Sequence, residues 1–191
     1  EAALSEYTRL LEHKSRMLKD ARLQPGVLAP LPEFNEQLAR FGALLIEGRA
    51  KYLRELERQA QRYHQEFSGG KETLRLVYQT VSSVTDPFAP QGVIYEWLRE
   101  HQDRHYRAEI ESGQCLSGPH KDDFGAFLGD LSIKNYGSQG QTRTAAISLK
   151  LAEREIIRMD QGSEPILLLD DVLSELDAGR QNFVLNQIRS G

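Results

Sequence analysis

The sequence predicts an α/β protein made of a helical arm, a small lobe with a hairpin and a helix, and a closing strand and helix. Apolar residues recur at helical spacing between Leu4 and Phe67, and again after Gly140. Residues 165–169 are a continuous apolar run, typical of a strand buried on both faces of a largely parallel sheet. We therefore divide the chain into an arm with a long antiparallel helix pair and one strand (residues 1–112), a lobe (113–162) and an incomplete strand and helix piece (163–191).

The composition indicates a globular protein of a reducing compartment. The hydrophobic content of 39% in 191 residues is sufficient for a packed core. The single cysteine, Cys115, excludes an internal disulfide framework and suits the cytoplasm, where we expect the protein. No apolar run reaches the roughly 18 residues of a membrane span, so we expect no membrane association. The net charge of −4 provides no general electrostatic argument for nucleic-acid binding, which must be argued from motifs.

The arm is predicted to begin with two helices. The apolar stripe of the first helix consists of Leu4, Tyr7, Leu11 and Leu18. Residues 24–32 contain three prolines and a glycine, which interrupt helical hydrogen bonding and predict a connection. A second, long stripe ends at Ser68-Gly69-Gly70, and this helix is expected to pack antiparallel on the first. The basic residues of the first helix could contact DNA phosphates, but acidic residues among them favour a solvated face.

Shorter patterns predict the remaining elements. Residues 74–81 are rich in β-formers and predict a strand. A charged helix is expected from Ile94 to Ile110, with Gly113 as its C-cap. Its inward-facing side chains are predicted to be Trp97, Leu98 and Tyr106. Residues 124–133 resemble a hairpin that turns at Gly129-Asp130, and the next helix runs from Gly140 to Met159.

The start of the helix predicted from Gly140 to Met159 is the first candidate site. Ser138 and Gln141 match a capping box, in which the serine caps the helix and the glutamine reaches back. This local interpretation leaves Gly137 and Gly140 unexplained, because glycine in a helix costs about 1 kcal/mol relative to alanine. Glycine suits a backbone that a ligand approaches closely. A helix N-terminus with exposed amides is an anion site, and phosphate is the obvious anion.

Two acidic residues, Asp170 and Asp171, directly follow the apolar run 165–169. They would lie at the C-terminal edge of a sheet, where open α/β sheets bind ligands. One carboxylate can hold Mg²⁺, directly or through water, while its neighbour orients or deprotonates an attacking water. Taken alone, strand-ending and helix-capping acids explain this pair about as well, and residues 174–177 could also be only a helix cap.

The order of these segments resembles the signature, Walker B and D-loop of ABC-type ATPases, without the transporter form Leu-Ser-Gly-Gly-Gln. Residues 136–144 and 148–153 are similar to the RecF family of bacterial DNA replication and repair proteins. Residues 116–123, Leu-Ser-Gly-Pro-His-Lys-Asp-Asp, resemble that family's Gly-Pro-His-Arg-Asp-Asp segment, and residues 165–177 follow its Walker B and D-loop stretch. The helical region before them is similar in layout only. The resemblance implies the C-terminal portion of an SMC-like ABC ATPase, with a helical arm, a signature lobe and a truncated part of the P-loop NTPase core.

This resemblance also implies roles for individual residues. The signature would bind a nucleotide held by the partner subunit, with Ser138 and Gly140 on the γ-phosphate and Gln139 and Gln141 beside them. Asp170 would position Mg²⁺ through water, and Asp171 would be the catalytic base. The D-loop, which would communicate across the dimer, consists of Ser174, Glu175, Leu176 and Asp177.

The function that the resemblance implies is ATP-dependent DNA repair. RecF-family proteins bind ATP, dimerise around it, bind DNA at single-strand gaps and, with RecO and RecR, help to load RecA, in replication, repair and the SOS response. The whole protein would be a weak ATPase that uses ATP as a clamp.

No G-x-x-x-x-G-K-[ST] loop occurs in the sequence, so this chain alone is expected neither to bind nor to hydrolyse ATP appreciably. Lys121 and Thr142, where the family usually has arginine and often a second glutamine, are mild departures.

Two other functions fit parts of the sequence. An independent metal-dependent hydrolase would need its paired aspartates to converge in one cleft, namely Asp122, Asp123, Asp170 and Asp171. A purely structural interaction module would be favoured by an exposed apolar stripe on the long helix, and a stripe buried against Leu4 to Leu18 would count against it.

The remaining candidates are three histidines and the cysteine. His101 and His105 stand one helical turn apart with Asp103 between them, a spacing that can seat a transition metal. Since no third ligand is in view, a solvated helix face is the better interpretation. For His120 we favour a conformational role near the signature over catalysis. Cys115 has no convincing base beside it and is expected to be inert.

Overall fold

The computed structural model describes residues 2–168 together with residues 179, 181–182 and 185–186. The chain forms two compact units, each built from two segments: Glu1–Lys51 with Tyr78–Asp123, and Tyr52–Val77 with Phe124–Gly191. The division into residues 1–112, 113–162 and 163–191 follows chain order and stays a prediction. None of the described helices combines the length and the apolar character that a transmembrane segment requires.

Helices dominate the first unit. Helix α1 spans Ala2–Asp20, and α2 spans Leu31–Ser68, so that the residues of α2 are divided between the two units. A 3-10 turn at Pro25–Leu28 lies between these helices, as the prolines predict. Helix α3 spans Gln91–Ser112 and ends at Gly113, whose φ of +68° is the left-handed conformation of a C-cap glycine. The predicted helices are therefore confirmed, while the antiparallel packing of the first two stays a prediction.

Two apolar clusters form the core of the first unit. One consists of Ala39, Ala43, Ile46, Val81, Val84, Ile94 and Leu98. The other contains Leu18, Leu31 and Cys115, with Leu11, Met17, Leu28 and Ile110 packed against them. Helix α2 contributes Ala39, Ala43 and Ile46 to the first cluster and Leu31 to the second. The predicted stripe of α2 is buried at Leu38, Leu56, Tyr63 and Phe67, whereas Tyr52 is 44% exposed. Packing of this stripe against the first helix stays a prediction, so the alternative of a structural interaction module is not decided by these clusters.

The interior of the first unit also contains charged side chains that periodicity places at the surface. Lys14 is fully buried, and its Nζ lies 2.6 Å from Oε2 of Glu109, which is also fully buried. Burial of these charges is possible because each has the other as its partner. The expectation of a solvated basic face on α1 is therefore wrong for Lys14. The inward orientation predicted for Tyr106 is also wrong, since this side chain is 39% exposed and Glu109 occupies the buried face of α3.

The second unit contains a small sheet and the helix that follows it. Strands β1 (Leu74–Gln79), β2 (Asp123–Leu128) and β3 (Leu131–Ser132) are arranged in the order β1-β2-β3. Leu128 pairs with Leu131 in antiparallel register, so Gly129 and Asp130 form the turn, and Gly129 has a φ of +58°. The predicted hairpin is confirmed. A short helix α4 follows at Ile133–Tyr136, and α5 spans Gln139–Gln161 and ends at Gly162.

The apolar run before the paired aspartates differs from its prediction. Its described residues, 165–168, form no strand, and Ile166 and Leu168 are 90% and 87% exposed. A strand needs a neighbouring strand to satisfy its backbone hydrogen bonds. Among the described residues, no strand is paired with this run. Residue 169 of the predicted strand lies outside the described residues.

Candidate nucleotide-binding site

The start of α5 forms the capping box that the sequence predicts. Ser138 is the N-cap, with extended backbone angles (φ −63°, ψ 160°). Its Oγ accepts the backbone N–H of Gln141 at 3.2 Å, and Oε1 of Gln141 accepts the backbone N–H of Ser138 at 3.0 Å. These reciprocal bonds satisfy two of the donors that a helix start leaves without an intrahelical partner.

The capped helix start presents further donors at the surface. The Ser138 side chain is exposed, and because its Oγ accepts the Gln141 amide, its own hydrogen can be donated to a ligand. The helical ladder of α5 begins with the bond from Thr142 N to Ser138 O at 2.9 Å. The amides of Gln139 and Gly140 precede this bond and lie at the positive end of the helix dipole. A hydroxyl and two amides at one helix start form a donor set that can hold a phosphate.

Gly137 has a structural explanation that does not involve a ligand. A Cβ built on this residue would lie 2.7 Å from the carbonyl oxygen of Ile133, which also accepts the Gly137 N–H at 3.0 Å. The close turn of α4 therefore requires glycine here. The prediction that a ligand approaches the backbone is thus left to Gly140, which is half-buried in the first turn of α5.

Two residues that sequence reasoning missed lie behind the capping box. The Gln141 side chain donates from Nε2 to Oε1 of Glu72 at 2.8 Å, and Oε2 of Glu72 lies 3.2 Å from Nε2 of His64. Both ends of the Gln141 amide are therefore occupied within the chain, so in this structure Gln141 supports Ser138 and leaves the ligand-facing donors to its neighbours. No pattern in the sequence connects Glu72 or His64 with the signature, because they lie far from it along the chain.

The other site residues implied by the resemblance lie outside the described residues. These are Asp170, Asp171, Ser174, Glu175, Leu176 and Asp177. Their roles stay predictions.

The Gly-Pro-His segment is held to the first unit by its histidine. The Tyr7 hydroxyl donates to Nδ1 of His120 at 2.8 Å, and Nε2 of His120 donates to the carbonyl oxygen of Cys115 at 3.1 Å. Because Nδ1 accepts and Nε2 donates, these bonds describe a neutral imidazole. Burial lowers the pKa of His120 and raises the pKa of Tyr7, in agreement with that assignment. Both ring nitrogens are engaged, which favours the conformational role over catalysis.

Arg49 and Asp122 anchor the end of the same segment. Arg49 donates to the carbonyl oxygen of Pro119 at 2.6 Å, and its Nη1 lies 3.6 Å from Oδ2 of Asp122. The Tyr78 hydroxyl donates to the same Oδ2. Asp122 thus has structural partners, and among the described residues no group of three or more His, Cys, Asp or Glu side chains could hold a metal ion. The alternative of a metal-dependent hydrolase has no support in this part of the chain.

One of the two helical histidines and the cysteine are also part of the interior. His101 is buried, with Nδ1 2.7 Å from Oγ of Ser117, and its ring stacks on that of His105 at 4.0 Å between centroids. The interpretation of these histidines as a solvated helix face is therefore wrong for His101, because Ser117 provides a buried partner. Cys115 is buried, and burial raises the pKa of its thiol, as expected for an inert cysteine.

Replacing Gly118 by alanine is expected to destabilise the first unit by about 3 kcal/mol. Gly118 has a φ of +130°, and a Cβ at this position would overlap the Oη of Tyr7. Urea unfolding of the variant gives the change in free energy. In a Tyr7→Phe background the overlap with the hydroxyl is absent, while the backbone strain and the contacts of the Cβ with His120 Nδ1 (3.3 Å) and the ring carbon Cζ (3.4 Å) remain, so the cost of Gly118→Ala should be smaller there. Gly26→Ala is the control, since nothing lies within 4 Å of its added Cβ. Equal costs for the two glycines would contradict the prediction.

The stability of the protein is expected to fall as the pH decreases below about 6.5. Burial lowers the pKa of His120, with smaller contributions from Lys121 and Lys14 that also lower it, and burial lowers the pKa of His101. In the unfolded chain these histidines recover their ordinary pKa of 6.5, so the unfolded state binds more protons once the pH drops below that value. Urea unfolding between about pH 7.5 and 5 measures the slope. His120→Gln and His101→Gln should each flatten it, and an unchanged slope in both variants would contradict the prediction.

Known proteins similar to this chain are bacterial DNA repair proteins. Three curated relatives, each named DNA replication and repair protein RecF, come from Limosilactobacillus reuteri (40% identical over 186 residues), Synechococcus sp. (39% over 187) and Staphylococcus haemolyticus (37% over 187). Each alignment covers 97% of this chain and 49% or 50% of the relative.

Two solved structures of the recombination mediator protein RecF in the RecFOR pathway, one with ATP and one with ATPrS, give TM-scores of 0.87 and 0.86. They are 32% identical to this chain and match 97% of it and 49% of their own chains. A scan against protein-family models found no match.

These similarities confirm the resemblance that the signature and Gly-Pro-His segments indicated. The structural match also confirms the predicted fold class, an α/β chain with a helical arm and part of an ABC-type ATPase core. The chain spans about half the length of the curated relatives that it matches. With 97% of its residues aligned at these identities, the chain belongs to the RecF family of DNA replication and repair proteins.

Proposed function

We propose that this chain supplies the signature side of an ATP-clamped dimer in a RecF-type DNA repair protein. The observation that carries the proposal is the capped start of α5, where the exposed Ser138 hydroxyl and the Gln139 and Gly140 amides belong to the same first turn of the helix. The sequence has no phosphate loop of its own to use with these donors. The names of the relatives and the solved RecF structures with ATP support the proposal.

In this proposal the donors of α5 act on a γ-phosphate that a second subunit holds. Ser138 would donate its hydroxyl hydrogen, and the amides of Gln139 and Gly140 would donate to the other phosphate oxygens. The bonds exist only when two subunits close on one ATP, so ATP favours the closed dimer in proportion to their strength. Hydrolysis removes the γ-phosphate and with it the contacts that distinguish the closed state.

The acidic residues after the apolar run would complete the nucleotide site of their own subunit. Asp170 and Asp171 offer carboxylate oxygens, the donor type that Mg²⁺ takes, and the bound ion would neutralise phosphate charge. Asp171 would accept a proton from the attacking water. Residues 174–177, the D-loop, would transmit closure between the subunits.

The biological role proposed for the dimer is action at single-strand gaps in DNA. With RecO and RecR as partners, it would help to load RecA during replication, repair and the SOS response, in the cytoplasm. The support is the family membership of the chain and the RecFOR pathway named for the matched structures.

The test uses the complete product of the gene that encodes this chain, called here the full-length product. Sedimentation velocity should show a dimer with ATP and a monomer without it, and gapped DNA should bind more tightly in the presence of ATP. The chain of 191 residues alone should show no measurable ATP turnover, because it lacks the phosphate loop. The proposal would be contradicted if ATP changed neither the dimerisation nor the DNA binding of the full-length product. ATP turnover by a clean preparation of the 191-residue chain alone would also contradict it.

A further inference from the structure

A continuous series of hydrogen bonds links the capping box of α5 to the interior of the second unit. It runs from the Ser138 amide to Gln141, then to Glu72 and His64, with donor–acceptor distances of 3.0, 2.8 and 3.2 Å. The Nδ1 of His64 lies 3.4 Å from Oγ of Ser148, which donates to the backbone of α5 at 2.8 Å. The series therefore leaves α5 at Gln141 and returns to the same helix two turns later.

The carboxylate of Glu72 and the N–H of Ser138 together determine which way the Gln141 side-chain amide points. A glutamine amide can turn over and exchange its oxygen and nitrogen at little steric cost. In the turned orientation the NH₂ group would face the Ser138 N–H, and the oxygen would face the Glu72 carboxylate. Both pairings are unfavourable, because they oppose two donors and two acceptors. Since a carboxylate without a proton only accepts hydrogen bonds, Glu72 reinforces the preference of the Ser138 N–H for the orientation in which Oε1 caps Ser138.

Glu72 is itself held in place on two sides. His64, which is fully buried near the end of α2, lies against its Oε2, and the Glu72 amide donates to the Ser68 hydroxyl at 3.3 Å. The position of the carboxylate is thus determined by the C-terminal end of α2. The last turn of the long helix and the first turn of the signature helix are connected through one side chain.

Packing alone does not hold the Gln141 amide. A cavity of about 350 Å³ adjoins the Glu72–Gln141 pair and is lined by Lys71, Thr73, Leu128, Gly129 and Leu131 in addition to these two residues. Because open space lies beside the side-chain amide of Gln141, its two hydrogen bonds, to Glu72 and to the Ser138 N–H, are what prevent it from turning.

We propose that Glu72, supported by His64, is a positioning residue of the signature: it orients the Gln141 amide and thereby sets the geometry of the phosphate donors at Ser138. The inference rests on the proposed function, since it assigns Glu72 a role in nucleotide contact without contact to the nucleotide. With Glu72 in place, the Ser138 Oγ keeps its bond to the backbone N–H of Gln141. The hydroxyl hydrogen of Ser138 then stays available to a ligand. Without it, the cap loosens and the donor set loses its alignment.

The experiment compares three variants of the full-length product. Glu72→Ala removes the carboxylate, and Glu72→Gln keeps its shape but can pair with either orientation of the Gln141 amide. Glu66→Ala is the matched control, an exposed glutamate near the same end of α2. Hydrogen–deuterium exchange of the peptide covering residues 136–144 reports on the cap, and sedimentation velocity with ATP reports on the dimer.

In Glu72→Ala we expect the Ser138 amide to exchange about tenfold faster and ATP-dependent dimerisation to weaken by about tenfold, as for loss of one hydrogen bond to a charged group. Glu72→Gln should show smaller changes in the same direction, about threefold, while Glu66→Ala matches the wild type. If Glu72→Ala does not fold, the exchange and dimerisation of Glu72→Gln alone test the inference.

Unchanged exchange in the Glu72 variants, or faster exchange with unaltered dimerisation, would overturn the inference and leave the proposed function standing. A wild type that does not dimerise with ATP would instead refute the proposed function, and exchange would then decide only whether Glu72 orients the cap.

Discussion

Replacing Ser138 by aspartate is expected to abolish ATP-dependent dimerisation of the full-length product without unfolding it. Aspartate caps helix N-termini about as well as serine, so α5 should keep its first turn. Its carboxylate would, however, stand beside the proposed γ-phosphate. Two unit charges about 4 Å apart repel by about 4 kcal/mol at an effective dielectric constant of about 20. Sedimentation velocity with ATP should therefore show dimerisation weakened by about a thousandfold.

Two further variants separate charge from capping at this position. Ser163→Asp adds the same charge at an exposed serine of the second unit and should dimerise as the wild type does. Ser138→Ala removes both the cap and the hydroxyl donor. It should lower the free energy of unfolding by about 1 kcal/mol and weaken dimerisation by about tenfold. Normal ATP-dependent dimerisation of Ser138→Asp would show that the start of α5 does not contact phosphate.

Replacing Lys14 by methionine is expected to lower the free energy of unfolding by about 3–5 kcal/mol. The Lys14 Nζ and Glu109 Oε2 lie 2.6 Å apart with both side chains fully buried. Apart from this ion pair, neither atom has a hydrogen-bond partner among the described residues. The variant therefore leaves a buried carboxylate without its counter-charge, and urea unfolding monitored by circular dichroism should measure the loss.

The control for this variant is Arg16→Met, which removes an exposed cation from the same helix and should change stability by less than about 0.5 kcal/mol. Adding Glu109→Gln to Lys14→Met should recover part of the loss. The neutral amide needs no counter-charge, and its oxygen can still accept the Leu116 and Ser117 amides that Glu109 Oε1 accepts at 2.7 and 3.3 Å. A loss for Lys14→Met no larger than that for Arg16→Met would mean that the buried pair does not stabilise the fold.

Prediction from the sequence was accurate where structure depends on neighbours in the chain. Gly113 ends α3, Gly129 and Asp130 form the hairpin turn, and Ser138 and Gln141 cap α5, all as predicted. Caps and tight turns need particular residues within a few positions, so the information is local. The family resemblance depended on the same property, because the signature and the Gly-Pro-His segment are short continuous motifs.

Prediction failed where burial depends on distant partners. Periodicity placed Tyr106 inside and gave no reason to bury His101, yet His101 is buried against Ser117 while Tyr106 is partly exposed. The described residues of the apolar run 165–168 form no strand, since an apolar sequence becomes a buried strand only with neighbours to pair with.

The sequence by itself therefore determined the family, the helix ends and the capped start of α5 at Ser138, because these depend on residues close together along the chain. Only the tertiary structure decided that Lys14 is buried on Glu109, and that Glu72 and His64 stand behind Gln141. A charged side chain can be buried only when a counterpart reaches it, and that counterpart comes from a distant part of the chain. Folding, rather than spacing, brings such partners together.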